Sequence, residues 1–403
     1  MMEPLPLVGA ILPPASHWAW AVFAAVTGAV AGRLLGGFVG GLLDRGVFAD
    51  VADSGDAPPP PPGPARGASA GRRWMAVAAA AACAGLWWWE VRSLGLHAES
   101  GAGPGPQAGE LVARWAAHAL LFAFLAAATW IDLRHRVIPD GVTLPGVLLG
   151  LVTLWTRPDV LLPVACEVER PFGPPLPVPD VLGWHGPLRS GGGPEWMGAA
   201  PHLAGLLVSL AIFLAWWSVC TAPWLDPAEA TDRPGGRWRR VDPRTLVLIA
   251  GLGGIAAAWW LGGLRFQGLE SALVGVAVAA GLVWCVREGA SRALGREAMG
   301  LGDVTLMAMV GAWVGWQAAV VAFFLAAFLG LAHGLVQVVR HRESELPYGP
   351  SLCLASVLVI VGWRWLWPVV AGAFADPLLL AAVLGAVVVL TAVTLAVWRW
   401  LRG

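Results

Sequence analysis

"REAMGLGDVT" (Arg296–Thr305) is a short, glycine-rich and charged interruption between two long apolar runs. It leads into Asp303, an acid placed where the second run begins. "WIDLRHRVIPD" (Trp130–Asp140) is the converse, an apolar run that ends on Asp132. The runs around these acids decide the fold class. Of 403 residues, 57% are hydrophobic and 13% charged, and the mean hydropathy is +0.67. A soluble domain carries about 25% charged residues, so the deficit calls for another solvent. Apolar stretches of about 18 residues or more recur, long enough to cross a hydrocarbon core of about 30 Å as helix. A lipid-exposed backbone must satisfy its own hydrogen bonds, and the alternating strands of a membrane barrel are absent. The chain therefore reads as all-α, a polytopic transmembrane helix bundle.

The pattern predicts about eleven spans. They are His17–Leu43, Trp74–Trp89, Leu111–Ile131, Val142–Trp155, Leu203–Cys220, Thr245–Leu264, Ser271–Val286, Val304–Trp316, Gln317–Val338, Ser351–Ala373 and Pro377–Trp398. Val304–Trp316 is the weakest of these, being short and followed by no polar loop. All basic side chains other than histidine are arginines. Alternating the spans puts eighteen arginines in one set of loops and six in the other. The positive-inside rule makes the richer set cytoplasmic, with the N-terminus outside and the C-terminus cytoplasmic. Asp132 and Asp303 then fall on the same, cytoplasmic side, although neither entered the count.

Six segments follow. Residues 1–43 hold the exterior N-terminus and first span, and 44–73 a cytoplasmic proline-rich linker. Residues 74–156 form a membrane segment with Asp132, and 157–268 an insertion with an exterior Pro/Gly loop and two spans. Residues 269–350 carry Asp303, and 351–403 the last spans. No arginine precedes Arg33, so the basic region of a signal peptide is missing and the first span is expected to be retained. The 25 tryptophans cluster at span ends, as in an interfacial belt. The five cysteines are isolated, which argues against a tetracysteine zinc site and a disulfide framework. The formal net charge is zero. The lipid bilayer is the expected partner; no nucleic acid, cofactor or metal is.

Either acid alone reads as an interfacial charge or a helix cap. Together, at span ends on one side of the membrane, they suggest a catalytic pair. Two carboxylates sharing a site do not both ionise easily, so one keeps a proton while the other activates water. Gly300 and Gly302 leave room for a close backbone approach. His118 lies about 21 Å before Asp132 along a helix, too far to join them. Arg364, inside a span, is an intramembrane charge whose role sequence does not decide.

Three blocks resemble the type IV prepilin leader peptidases, membrane aspartyl proteases of the GxGD type. "WIDLRHRVIPDGVTLP" (Trp130–Pro145) is similar to the family's first aspartate block, with Asp132 matching a catalytic acid and Ile138, Pro139 and Asp140 the signature after it. "AMGLGDVTLMAMVGAWVGW" (Ala298–Trp316) is similar to the second, with Asp303 matching the other acid. "LPYGPSL" (Leu346–Leu352) is similar to a later block that supplies Pro347, Tyr348, Gly349 and Pro350. The resemblance implies an aspartic endopeptidase of the bacterial inner membrane that cuts leader peptides from pilin-like or pseudopilin precursors. Asp132 and Asp303 would be catalytic. Gly300, Gly302, Pro139, Asp140, Pro347, Tyr348, Gly349 and Pro350 would bind substrate. The alternatives are a non-proteolytic transporter or assembly scaffold that keeps the fold, or a GxGD protease with other membrane substrates.

Three features depart from the family pattern. The acids are separated by a much longer stretch, Thr305 stands where a lysine is usual, and the linker replaces a tetracysteine zinc region associated with N-methylation. The last departure argues against N-methyltransferase activity. Residues 44–73 contain no Cys and no His, and a structural zinc needs about four such ligands. Purified protein is therefore expected to carry no stoichiometric zinc by elemental analysis and to keep its peptidase activity through strong chelation. Activity lost to the chelator and restored by zinc would overturn this.

Overall fold

The computed structural model describes residues 21–30, 32–33, 37, 67–96, 108–162, 164–168, 176–180, 202–221, 243–341, 348–375 and 377–402. Their helices are α1 (Ala21–Val30), α2 (Gly67–Trp87), α3 (Ala108–His135), α4 (Asp140–Thr156), α5 (Leu203–Thr221), α6 (Pro243–Leu261), α7 (Gly263–Leu294), α8 (Leu301–His341), α9 (Gly349–Ala375) and α10 (Pro377–Arg402). Seven of them, α3 and α5 to α10, are long and apolar enough to cross a membrane. The architecture is an all-α polytopic bundle. One small antiparallel hairpin interrupts it, β1 (Val164–Val168) against β2 (Leu176–Asp180), with Val164 opposite Asp180. The hairpin falls in the stretch expected to be a Pro/Gly loop.

Helix ends depart from the apolar runs for identifiable reasons. α7 was expected over Ser271–Val286 but runs over Gly263–Leu294. Its outer turns carry Arg265, Arg287, Glu288 and Arg292, which an apolar count rejects and a helix that projects beyond the lipid accommodates. It stops at Gly295, whose left-handed backbone (φ 68°) lets its N–H cap the Ser291 carbonyl. The expected linker is also shorter, because Gly67–Arg73 forms the first turns of α2. α2 ends in a π-helical turn, Trp88–Arg92. From there the Trp89 indole donates to the Val361 carbonyl (3.1 Å) and stacks on Trp365, tying α2 to α9.

The expected spans Val304–Trp316 and Gln317–Val338 form one helical element, α8, broken at Gly315 (φ 78°, ψ 172°). Met299, just before α8, and Phe328, well inside it, line one groove. A straight helix would hold them roughly 40 Å apart. The chain therefore reverses at Gly315, and the two arms of α8 lie antiparallel. Only a glycine adopts that backbone angle without strain.

The first arm occupies the centre of the bundle. Every residue from 303 to 315 is buried, as expected of a helix apolar on all faces. α7 crosses it backbone to backbone, and a Cβ on either Gly275 or Gly311 would strike the other's carbonyl oxygen. α4 covers another face through Gly146 and Gly150. There the Trp313 indole donates to the Gly146 carbonyl (2.8 Å). Small residues at helix crossings matter here because, in lipid, close packing replaces the hydrophobic effect as the driving force.

Not all the tryptophans form a belt. Trp88, Trp260 and Trp400 are exposed, whereas Trp87, Trp115, Trp313 and Trp363 are core. His118 serves a local need: its Nδ1 pairs with the Glu90 carboxylate at 2.6 Å, both fully buried. Arg114 beside them donates to the Asp159 carbonyl (2.7 Å).

Gly311→Val would force a branched side chain into the Gly275 backbone. The thermal midpoint of the detergent-solubilised protein should fall by roughly 5 °C or more. Gly281→Ala, on the same helix as Gly275 but facing open space, should leave it unchanged. Equal midpoints for the two variants would refute the crossing.

Candidate active site

Asp132 lies in the last turn of α3, and Asp303 in the first turn of α8. Both are almost wholly buried (5% and 7% exposed), yet both line one cavity of about 650 Å³ at the same end of the bundle. They are within electrostatic reach of each other. Asp140, in the first turn of α4, lines the same cavity, as do Gly300, Gly302 and Tyr348.

The local chain explains how the acids are held. α3 ends where the Arg136 N–H bonds to the Asp132 carbonyl (2.8 Å), with Arg136 left-handed (φ 55°). Such a backbone is uncommon for a non-glycine residue and turns the chain sharply into Ile138 and Pro139. Pro139, extended and buried, precedes the start of α4. Gly349 backs Asp132: its N–H donates to the carboxylate, and a Cβ there would collide with that carboxylate and with Ile138. The loop before Asp303 is anchored to α7. Arg287 donates to the Met299 carbonyl (2.9 Å) and pairs with Glu297 (2.5 Å), and Ser291 Oγ accepts from the Ala298 N–H (3.0 Å).

The two glycines of the GLGD stretch have different jobs. A Cβ on Gly302 would sit 2.9 Å from both the Cβ and the carbonyl oxygen of Ile138. Its missing side chain thus seats one aspartate block against the other. A Cβ on Gly300, at the cavity wall, would meet only the Gly302 nitrogen at 3.9 Å, an ordinary contact. Thr305, which departs from the lysine usual in the resembled family, is buried and bonds back to the Gly302 carbonyl (3.1 Å). The Tyr348 phenol is pushed above its usual pKa by burial and by the Asp303 charge, so it remains a hydrogen-bond donor.

Of the other expected substrate-binding positions, Pro139, Gly349 and Pro350 do not line the cavity, and Pro347 lies outside the described residues. Arg136, Ile138 and Met299 do line it and were not singled out as site residues. Ile138 was legible only as part of the block around Pro139. Among the described residues, no group of three or more His, Cys, Asp or Glu is placed to hold a metal ion.

A model of the type IV leader peptidase family matches residues 119–166 and 237–335, the segments that contain Asp132 and Asp303. In those segments the chain is similar to that family. Its relatives include the prepilin leader peptidase/N-methyltransferase of Aeromonas hydrophila, 33% identical over 104 residues (25% of this chain, 35% of the relative). That of Burkholderia pseudomallei (strain 1026b) is 38% identical over 90 residues (22% and 29%). That of Escherichia coli (strain K12) is 30% identical over 100 residues (24% and 44%). The chain thus spans under half the length of these curated relatives. No solved structure matches. The family match and the long apolar helices support a multi-pass protein of the bacterial inner membrane. The family match leaves out residues 167–236, which contain α5, whereas α6 falls within the matched part.

The contrast between the glycines is measurable without any substrate. Gly302→Ala should lower thermal stability by about 1–3 kcal/mol, the usual effect of overpacking. Gly300→Ala should be neutral. A reversed order in thermal melts would show that Ile138 does not seat against Gly302.

Proposed function

We propose that the chain is a prepilin-type aspartic endopeptidase that removes leader peptides from pilin-like or pseudopilin precursors, with Asp132 and Asp303 as its catalytic pair. One observation carries this reading: the acids of the two family-matched segments line a single cavity at one end of an apolar bundle. The side chains around that end include Arg134, Arg136, Arg287, Arg292, Arg296 and Arg399, which supports a cytoplasmic face for it under the positive-inside rule. On the same reading the chain makes about eleven spans with its N-terminus outside. On that reading the linker shortens to residues 44–66, since Gly67–Arg73 opens α2, and the inserted segment narrows towards 167–236.

The chemistry needs only water and the pair. The ionised carboxylate takes a proton from water as its oxygen attacks the scissile carbonyl. The protonated partner donates to the carbonyl oxygen. As the tetrahedral diol collapses and the C–N bond breaks, the protonated carboxyl gives its proton to the leaving amine while the other carboxylate takes one from a diol hydroxyl, so the pair again holds one shared proton. Gly300 leaves the cavity wall open to an extended substrate. The Tyr348 hydroxyl is a further donor, and Asp140 a third carboxylate suited to a basic leader.

Asp132→Asn and Asp303→Asn should each reduce cleavage of a candidate precursor by several orders of magnitude, with expression and membrane insertion intact, because half a pair cannot fill both proton roles. Asp140→Asn should be milder and should act mainly on KM. Near-normal turnover by either catalytic variant would refute the pair. An intact fold with no cleavage of any pilin-like precursor would favour a GxGD protease with other substrates or a non-proteolytic scaffold.

A further inference from the structure

A second concavity, of about 530 Å³, adjoins the aspartate cavity and shares Met299 and Tyr348 with it. It is almost wholly apolar. Phe328 and Leu331 from the second arm of α8 line it, as do Val387 and Thr391 from α10. Its volume lies within the range of ligand pockets, about 300–1,000 Å³. α10 is the least embedded of the long helices, with none of its apolar window buried. It rests on α7 where Gly289 admits Val388 and Ala392, and Arg399 reaches the Ala293 carbonyl (3.4 Å). It also lies beyond the family-matched segments, which end at residue 335.

We propose that α10 forms the specificity-determining wall of a lateral groove that receives the apolar helix of the substrate while the adjoining polar stretch enters the aspartate cavity. This rests on the peptidase reading of that cavity. The occupant follows from the continuity of the two spaces. A lipid would fill the apolar groove, but it brings only a headgroup, and no peptide backbone, to the three carboxylates. A soluble peptide would suit the cavity but leave the groove empty. A chain that passes from a polar, extended stretch into an apolar helix matches both, with the helix lying in the groove. Close contact with Phe328, Leu331 and Val387 would supply the attraction within lipid.

The full-length protein is tested with two synthetic probes. One is a basic leader joined to an apolar helix of about 20 residues, and the other is the same leader with only a few polar residues after the scissile bond. Val387→Trp and Thr391→Trp fill the groove. Each should raise KM for the long probe roughly tenfold, equivalent to about 1.4 kcal/mol, with kcat maintained and the short probe unaffected. Leu390→Trp, at an exposed position of the same helix, should change neither. Equal effects on both probes, or none on the long one, would overturn the proposal.

A second readout does not depend on cleavage. With p-benzoylphenylalanine replacing Val387 in the Asp303→Asn protein, light should crosslink the apolar helix of the long probe. Crosslinks confined to lipid or to a second copy of the chain would overturn the groove. Crosslinking without cleavage by the unmodified enzyme would sink the peptidase reading and leave the groove standing. Cleavage without crosslinking would do the reverse, and neither would sink both.

Discussion

A helix buried on every face needs neighbours on every side, and the first arm of α8 imposes that demand on the rest of the bundle. Its burial from 303 to 315 is continuous, so α4, α7, the second arm and α9 arrange themselves around it. The closest approach is at Gly275 and Gly311, where two backbones meet with no side chain between them. In lipid no hydrophobic force gathers helices, so contacts of this kind and the indole bond from Trp313 carry the association. The reversal at Gly315 belongs to the same constraint. It lets one covalent segment supply both the central helix and one of those that enclose it.

The site inherits its position from this arrangement. Asp303 opens the central arm, so it stands, almost wholly buried, at the bundle's end. Asp132 reaches it because α3 ends one turn later, and because Ile138 seats against Gly302 and lies beside Gly349. Arg287 fixes the loop from the α7 side through the Met299 carbonyl. The cavity is thus held by helix ends and backbone contacts, the more rigid parts of a bundle, which suits chemistry sensitive to small misplacements.

The far end of α3 shows how differently a buried titratable side chain is treated when it has no cavity to face. Glu90 and His118 pair at 2.6 Å with essentially no solvent, and Arg114 caps a carbonyl beside them. Burying such groups is costly unless they are paired. Their pairing accounts for a histidine that the chain pattern could exclude from the aspartate site but could not otherwise place.

By itself, the sequence determined the solvent, the helical class and the chain segments that carry the two acids, because these depend on local composition and on the length needed to cross a bilayer. It also marked the break between Trp316 and Gln317 as unusual, since no polar loop intervenes. Only the tertiary structure decided that the weakest expected span is the most buried, because burial depends on neighbours and not on length. The same holds for the glycines. Gly302 and Gly300 look alike in sequence, and only packing against Ile138 separates a seat from an opening. Helix ends such as those of α2 and α7 were missed where arginines continue a helix past the lipid, since apolar periodicity reports the membrane's thickness and not the helix's length. The groove beside the aspartates was illegible for a related reason: its two walls, the second arm of α8 and α10, are far apart in the chain and meet only in the folded bundle.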